Sequence, residues 1–221
     1  MDYDQLVSPL LRLLSGGKQH QFPKGQVMHF ADERMLLSVL NTGYVKRYSI
    51  TDDGSQSIQS IYGPGDIFPL TPVFKALFNK DIYLGQEVFY YEAMTPVIMH
   101  SVDRETLEAG LVAEPEIYKD LLYVSGVRLS SNIQRLENMS LRVANRKVAH
   151  QLVHYTNKFG KKGDHGITLQ LPLTHQNLAS ILNLARETVT NCLTTLQDKG
   201  IIESDKNIVI LDLDALKRAS H

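Results

Sequence analysis

Residues 172–202, PLTHQNLASILNLARETVTNCLTTLQDKGII, constrain this chain more tightly than any other stretch. Apolar side chains recur there at helical spacing on both sides of a short break. Leu178, Ala179 and Leu182 mark one helix over residues 175–182, and Val189, Leu193 and Leu196 mark a second over 186–199 that Gly200 ends. Asn183-Leu184 is the turn, and Leu184 joins the apolar side of the pair. Arg186, Glu187, Thr190, Asn191 and Thr194 fall on the other side of the second helix. The pattern predicts a helix-turn-helix, in which a polar helix face enters the DNA major groove. It points to sequence-specific DNA binding and away from catalysis. An ordinary helical hairpin with a merely solvated outer face has the same spacing and stays open as an alternative.

A chain of 221 residues with 43% hydrophobic and 21% charged residues has room for one large or two modest domains, each with a core. No apolar run approaches the roughly 20 residues of a membrane span. The first residues, MDYDQLVSPLLRLLSGG, lack the basic-then-apolar layout of an export signal, so the cytoplasm is the expected compartment. The single cysteine, Cys192, excludes an intramolecular disulfide and a four-thiolate metal site within one chain, and reads as a small core residue, with a redox switch as the alternative. Charge is uneven. Residues 1–140 carry 12 Lys/Arg against 17 Asp/Glu, while residues 141–221 carry 11 against 7. The positive excess sits with the helix-turn-helix, as a phosphate-binding surface requires, although chance unevenness would look the same.

Before that half, apolar and β-branched residues alternate with polar ones, and turn residues recur at short intervals. Strands are expected around Val27–Phe30 (before Asp32-Glu33), 36–40, 44–51, 57–61, 87–94 and 97–102, with Asp52-Asp53-Gly54 a strong hairpin turn. So many short strands predict a barrel or jelly roll. A long helix follows near Pro115. Tyr118, Leu122, Ser125, Leu129, Asn132, Leu136, Met139 and Val143 recur at spacings of four and three, the seam of a helix that pairs with a copy of itself. Leu121, Val124 and Ile133 widen the stripe enough to pack on the chain's own β-domain as well. Asn132 in the seam would fix register by bonding its symmetry mate. Residues 158–166 read as a loop. Ile201-Ile202, the turn Asp205-Lys206-Asn207 and 208–211 read as a two-stranded wing.

Several of these words resemble one family. Leu178-Ala179, Arg186-Glu187-Thr188-Val189, Leu193, Leu196 and Lys199-Gly200-Ile201-Ile202 are similar to the DNA-binding domain of the CRP/FNR regulators of bacteria. Phe22-Pro23-Lys24-Gly25, Gly43-Tyr44-Val45-Lys46 and Pro64-Gly65-Asp66-Ile67-Phe68, in that order, are similar to its sensor domain. Residues 141–148 resemble its hinge and the next helix. The resemblance implies an α+β chain: a β-roll of the jelly-roll, cyclic-nucleotide-binding-like kind over 1–112, a dimerisation helix over 113–141 and a winged helix-turn-helix over 142–221. It implies a homodimer that binds double-stranded DNA, with RNA polymerase as a further partner.

Arg matches guanine O6 and N7, and a Glu carboxylate accepts from the cytosine amino group. Arg186 and Glu187 stand where the family places such readers. Asn191 stands where the family often has a second Arg. Asn pairs best with adenine, and Thr190 can meet a thymine methyl, so part of each half-site should differ from well-known operators. Ala185 replaces the usual Ser or Thr N-cap of the second helix, at a cost of about 1 kcal/mol, and Asn183 stands where glycine is common. Thr174 caps the first helix. Thr174, His175, Lys206, Arg146 and Lys147 are the candidates for phosphate contacts.

The sensor half departs from the cyclic-nucleotide binders of the family. Phe68 is followed by Pro69-Leu70-Thr71-Pro72 where they carry Gly-Glu-Leu, and Glu87-Val88 falls where they hold a phosphate with Arg and Ser. A leucine bonds no ribose hydroxyl and a carboxylate repels a phosphate. Cyclic AMP is thus argued against, no cofactor is implied, and any effector is unidentified. Phe74, Phe78, Tyr83, Phe89, Tyr90 and Tyr91 either line an aromatic pocket or fill the core. His29 or His100 would be needed as a haem ligand. A cupin-like enzyme would need clustered metal ligands, and His20, His29 and His100 form no His-x-His pair. The other alternative is a DNA-binding module whose sensor domain takes no effector.

Overall fold

The computed structural model describes residues 8–30, 35–78 and 88–220. The chain forms two compact units, Met1–Ser49 with Ser60–Ser131, and Ile50–Gln59 with Asn132–His221.

In the first unit β3 (Leu37–Thr42) explains the layering. Leu37 and Val39 face one way and Leu40 the other, because side chains alternate along a strand. Both faces are buried, so the strand reads as an apolar run. One face meets Leu10 and Leu14 of α1 (Pro9–Ser15), Leu107 and Leu111 of α3 (Arg104–Ala113), and Ile117 and Leu121 at the start of α4 (Ile117–Ser140). The other meets a core shared by two antiparallel sheets. The first sheet has the order β1 (Lys18–Phe22), β8 (Val97–Val102), β3, β6 (Ile67–Phe68). The second has the order β2 (Val27–Met28), β7 (Tyr90–Ala93), β4 (Val45–Ile50), β5 (Gln56–Tyr62). Met28, Val45, Tyr62, Phe68, Ala93 and Met99 fill the space between them. This is a β-roll. Its β4–β5 turn is closed by Thr51 N–H donating to the Ser55 carbonyl at 2.9 Å, with Gly54 at φ +79°. The predicted turn at Asp32-Glu33, the side chain of Phe78, and Tyr83 and Glu87 lie outside the described residues.

The structure departs from the sequence expectations at four places. Residues 18–22 form a strand, pairing with 97–101, and residues 9–15, 71–78 and 104–113 form helices that no expectation above covers. α4 opens at Ile117, after a separate helix, with Pro115 in the preceding turn. Leu121 and Val124 pack on the β-roll core as expected, but Ile133 is exposed. Residues 158–166 are not a loop. Lys158 and Phe159 end α5 (Ala144–Phe159), and β9 (Gly160–Gly163) pairs with β10 (Gly166–Leu169). β9 is exposed along its whole length, so no apolar alternation betrays it.

In the second unit β9 and β10 extend the wing. The sheet order is β11 (Ile202–Ser204), β12 (Ile208–Ile210), β10, β9, and α8 (Leu213–Ala219) closes the chain against α5. α4 and α5 are parted at residues 141–143 without glycine or proline. Val143 is extended there, and Asn138 Nδ2 donates to Gln151 Oε1 at 3.1 Å across the break.

α5 makes this unit sensitive to acid. Burial, then the Lys158 ammonium, then His150 push the His154 imidazole down from 6.5 to about 4. The unfolded chain therefore binds the proton more readily than the folded one. Stability from this residue is intact above pH 6.5, falls as pH drops from 6.5 to 4, and stays lost below. The loss amounts to about 3 kcal/mol. Denaturant titrations between pH 7 and 4 should show it, and H154L should flatten that limb.

Candidate nucleic-acid interface

The reading head is built on α6 (His175–Leu182) and α7 (Arg186–Asp198). Thr174 caps α6 as expected: its hydroxyl accepts from Asn177 N–H at 3.0 Å, while Asn177 Oδ1 accepts from Thr174 N–H at 3.3 Å. This reciprocal box fixes where the helix starts. Asn183 ends it in the left-handed region, φ 52° and ψ 52°, which Asn tolerates better than most residues. Ala185 offers α7 no side-chain cap. Leu178, Ala179, Leu182, Val189, Leu193 and Leu196 are buried, with Leu184 half-buried. Ile181 is buried too, a core position that the sequence reading passed over. Cys192 is buried, and burial raises its thiol pKa, which disfavours the reactive thiolate.

That packing turns the other face of α7 outward. Arg186, Glu187 and Asn191 are exposed, Thr190 is half-buried, and the four line one open concavity of about 270 Å³. The first two stand in the first turn of the helix, where side chains reach base edges. The backbone candidates lie on other elements of this unit. Thr174 is exposed and His175 half-buried at the start of α6, Lys206 is exposed in the β11–β12 turn, and Arg146 (exposed) and Lys147 (half-buried) lie in the first turn of α5.

Residues 146–219 match the Crp-like helix-turn-helix domain family. The global nitrogen regulator of Nostoc sp. is 35% identical over 190 residues, covering 84% of this chain and 81% of its own. The chain belongs to the CRP/FNR family. It is a DNA-binding transcription regulator of that type. The CRP-like cAMP-activated global transcriptional regulator of Mycobacterium tuberculosis is 27% identical and covers 89% of this chain and 85% of its own. FixK2 from Bradyrhizobium japonicum shares the fold, with a TM-score of 0.75 at 20% identity over 92% of this chain and 97% of that one. The CRP/FNR architecture of β-roll followed by winged helix-turn-helix thus holds along the chain. No helix among the described residues is long and apolar enough to cross a membrane.

The predicted seam lies on the open side of α4. Tyr118 is 52% exposed, Leu122 75%, Leu129 62%, Leu136 66% and Met139 48%. Asn132 is exposed among them, and Ser125 is half-buried with its hydroxyl donating to the Leu121 carbonyl.

In the regulator's β-roll, Tyr91 packs with Phe30, Tyr62 and Phe68, Tyr90 stacks on Tyr48, and Phe89 lies against the Arg47 guanidinium. Of the candidate pocket rings, Tyr91 therefore joins the core cluster, while Phe74 is half-buried on α2 (Thr71–Phe78). Two cations escaped the sequence reading. β4 pairs with β7 so that Arg47 lies opposite Tyr91, on the Val45 side that faces the core. The Arg128 guanidinium sits 4.5 Å from the Tyr62 ring centre. Burial, then Tyr62, raise the Tyr91 hydroxyl pKa, while both guanidiniums oppose that rise. Among the described residues no carboxylate ion-pairs with either Arg, whereas Lys46 on the other face of β4 has Glu92 at 3.1 Å. Arg47 Nε is buried and has no hydrogen-bond acceptor. No sequence signal singled these two out, since arginines on strands and helices are usually solvated. His29 is exposed, and His100 Nδ1 lies 2.6 Å from Asn41 Oδ1. Among the described residues no three His, Cys, Asp or Glu converge as metal ligands.

Proposed function

We propose that two copies of this chain read a near-palindromic operator, one α7 in each of two successive major grooves, with half-site centres roughly 34 Å apart. The observation that carries this is the joint exposure of Arg186, Glu187 and Asn191 in the concavity at the start of a helix whose opposite face is buried. Residues 1–112 serve as sensor, 113–141 as dimerisation helix and 142–221 as reader. Thr174, His175, Lys206, Arg146 and Lys147 hold phosphates, and RNA polymerase is the further partner. The work is done in the cytoplasm, on double-stranded DNA.

Arg186 takes a guanine, Glu187 the neighbouring cytosine and Asn191 an adenine. The test is N191R against a panel of operators varied one base pair at a time. The variant is expected to shift preference toward guanine at one position per half-site, by about 1–3 kcal/mol. Unchanged preference across the panel would remove Asn191 from the readers.

The pair Arg47 and Arg128 favours a small organic anion as effector of the β-roll. Partly buried guanidiniums without a carboxylate are costly unless an anion meets them. A panel of mono- and dicarboxylates and phosphates should raise the melting temperature of the wild type and not that of R128A. A flat response across the panel would favour the effector-independent reading. Coupling to the reader then works as a population shift between dimers whose heads are correctly or wrongly spaced.

A further inference from the structure

We propose that Thr190 reads a thymine through its methyl group, and that His175 is the positioning residue that makes it do so. The inference rests on the reading of α7 as the recognition helix and adds the chemical group that discriminates. Thr190 has one hydroxyl proton and two neighbours. Its Oγ1 is 3.0 Å from the Arg186 carbonyl oxygen, one turn back along α7, and 2.9 Å from Nδ1 of His175 on α6. The carbonyl can only accept. The arrangement that satisfies both contacts has the hydroxyl donating to the carbonyl and the imidazole Nδ1–H donating to the hydroxyl oxygen. The proton is then committed, and the oxygen is drawn back against its own helix and toward α6. What Thr190 can present to a base edge is its methyl group, in the same concavity as Arg186, Glu187 and Asn191. The apolar mark in the major groove is the C5-methyl of thymine, and methyl-to-methyl contact reads it. Threonines elsewhere on α7 do not share this arrangement. Thr194 and Thr195 also donate to carbonyls one turn back, but α6 supplies no second partner to either.

The experiment uses the full-length chain and an operator selected with it from random duplexes. Each thymine of a half-site is replaced in turn by deoxyuridine, which removes only the methyl. Wild type is expected to lose about fourfold in affinity at one thymine per half-site, the worth of one buried carbon group. T190S should be indifferent at that position, because it keeps the hydroxyl and lacks the methyl. T190V should retain the fourfold preference, because it keeps a methyl and lacks the hydroxyl. H175A should lose the preference, and H175N, which restores a donor near Nδ1, should regain it. A merely structural role for His175 would weaken all positions alike and would not separate these two variants. If wild type binds its operator yet ignores every deoxyuridine replacement, the methyl reading is overturned while the DNA-binding reading stands. If T190S keeps the preference and T190V loses it, the hydroxyl is the reader and the proposal fails. If no duplex is selected at all, the recognition-helix reading itself falls.

Discussion

Replacing Arg186 and Glu187 together by alanine is expected to erase discrimination between operator and unrelated DNA while leaving the chain folded. Each side chain is exposed, so stability should move by no more than about 0.5 kcal/mol. Their removal costs two base contacts per half-site at about 1–3 kcal/mol each. Over the two half-sites of the proposed dimer, a drop of at least about 1000-fold in the ratio of specific to non-specific affinity follows. Non-specific binding should survive, because the proposed phosphate contacts of Lys206, Arg146 and the α6 N-terminus are untouched, and it should weaken steeply with salt. Competition binding at physiological ionic strength measures both quantities at once. A double variant that still prefers its operator would place the reading head elsewhere on the molecule.

The second large effect concerns the open face of α4. Leu122, Leu129 and Leu136 expose well over half of their surface, an apolar stripe that a single copy in water leaves uncovered. Pairing with a second copy would bury each leucine twice. At about 1.5–3 kcal/mol per buried leucine, L129E alone should weaken dimerisation by about 3–6 kcal/mol, with the unpaired carboxylates adding to the cost. Sedimentation at micromolar concentration should then find a monomer whose circular dichroism matches the wild type. Its operator affinity should fall to that of a single half-site, and it should no longer respond to the spacing between half-sites. An L129E protein that sediments as the wild type does would exclude this face as the interface. The same helix packs Ile117, Leu121 and Val124 into the β-roll core. Substitutions on that side should instead lower stability, which separates the two faces experimentally.

The helix-turn-helix was legible because its signals are local. Burial at a period of 3.6 residues, a threonine cap, an asparagine able to turn left-handed and a glycine stop all act within a few residues of where they stand. Most strands of the β-roll were legible too, since Gly43, Gly54 and Gly65 take positive φ at the turns between them. Elements too short or too solvated to show an alternation were not. β9 is solvated on both sides, and β6 is two residues long, so neither carries enough alternation to declare itself.

The chain's order of residues by itself determined which helix presents a polar face, and that its neighbours could bury the other. Only the tertiary structure decided which distant side chains meet. The register of β4 on β7 sets Arg47 against Tyr91, α4 carries Arg128 to Tyr62, and the packing of α6 on α7 joins His175 to Thr190. Periodicity specifies which way a side chain points from its own element. It carries no information about what another element brings to meet it, because that depends on strand register and helix packing settled by the whole core.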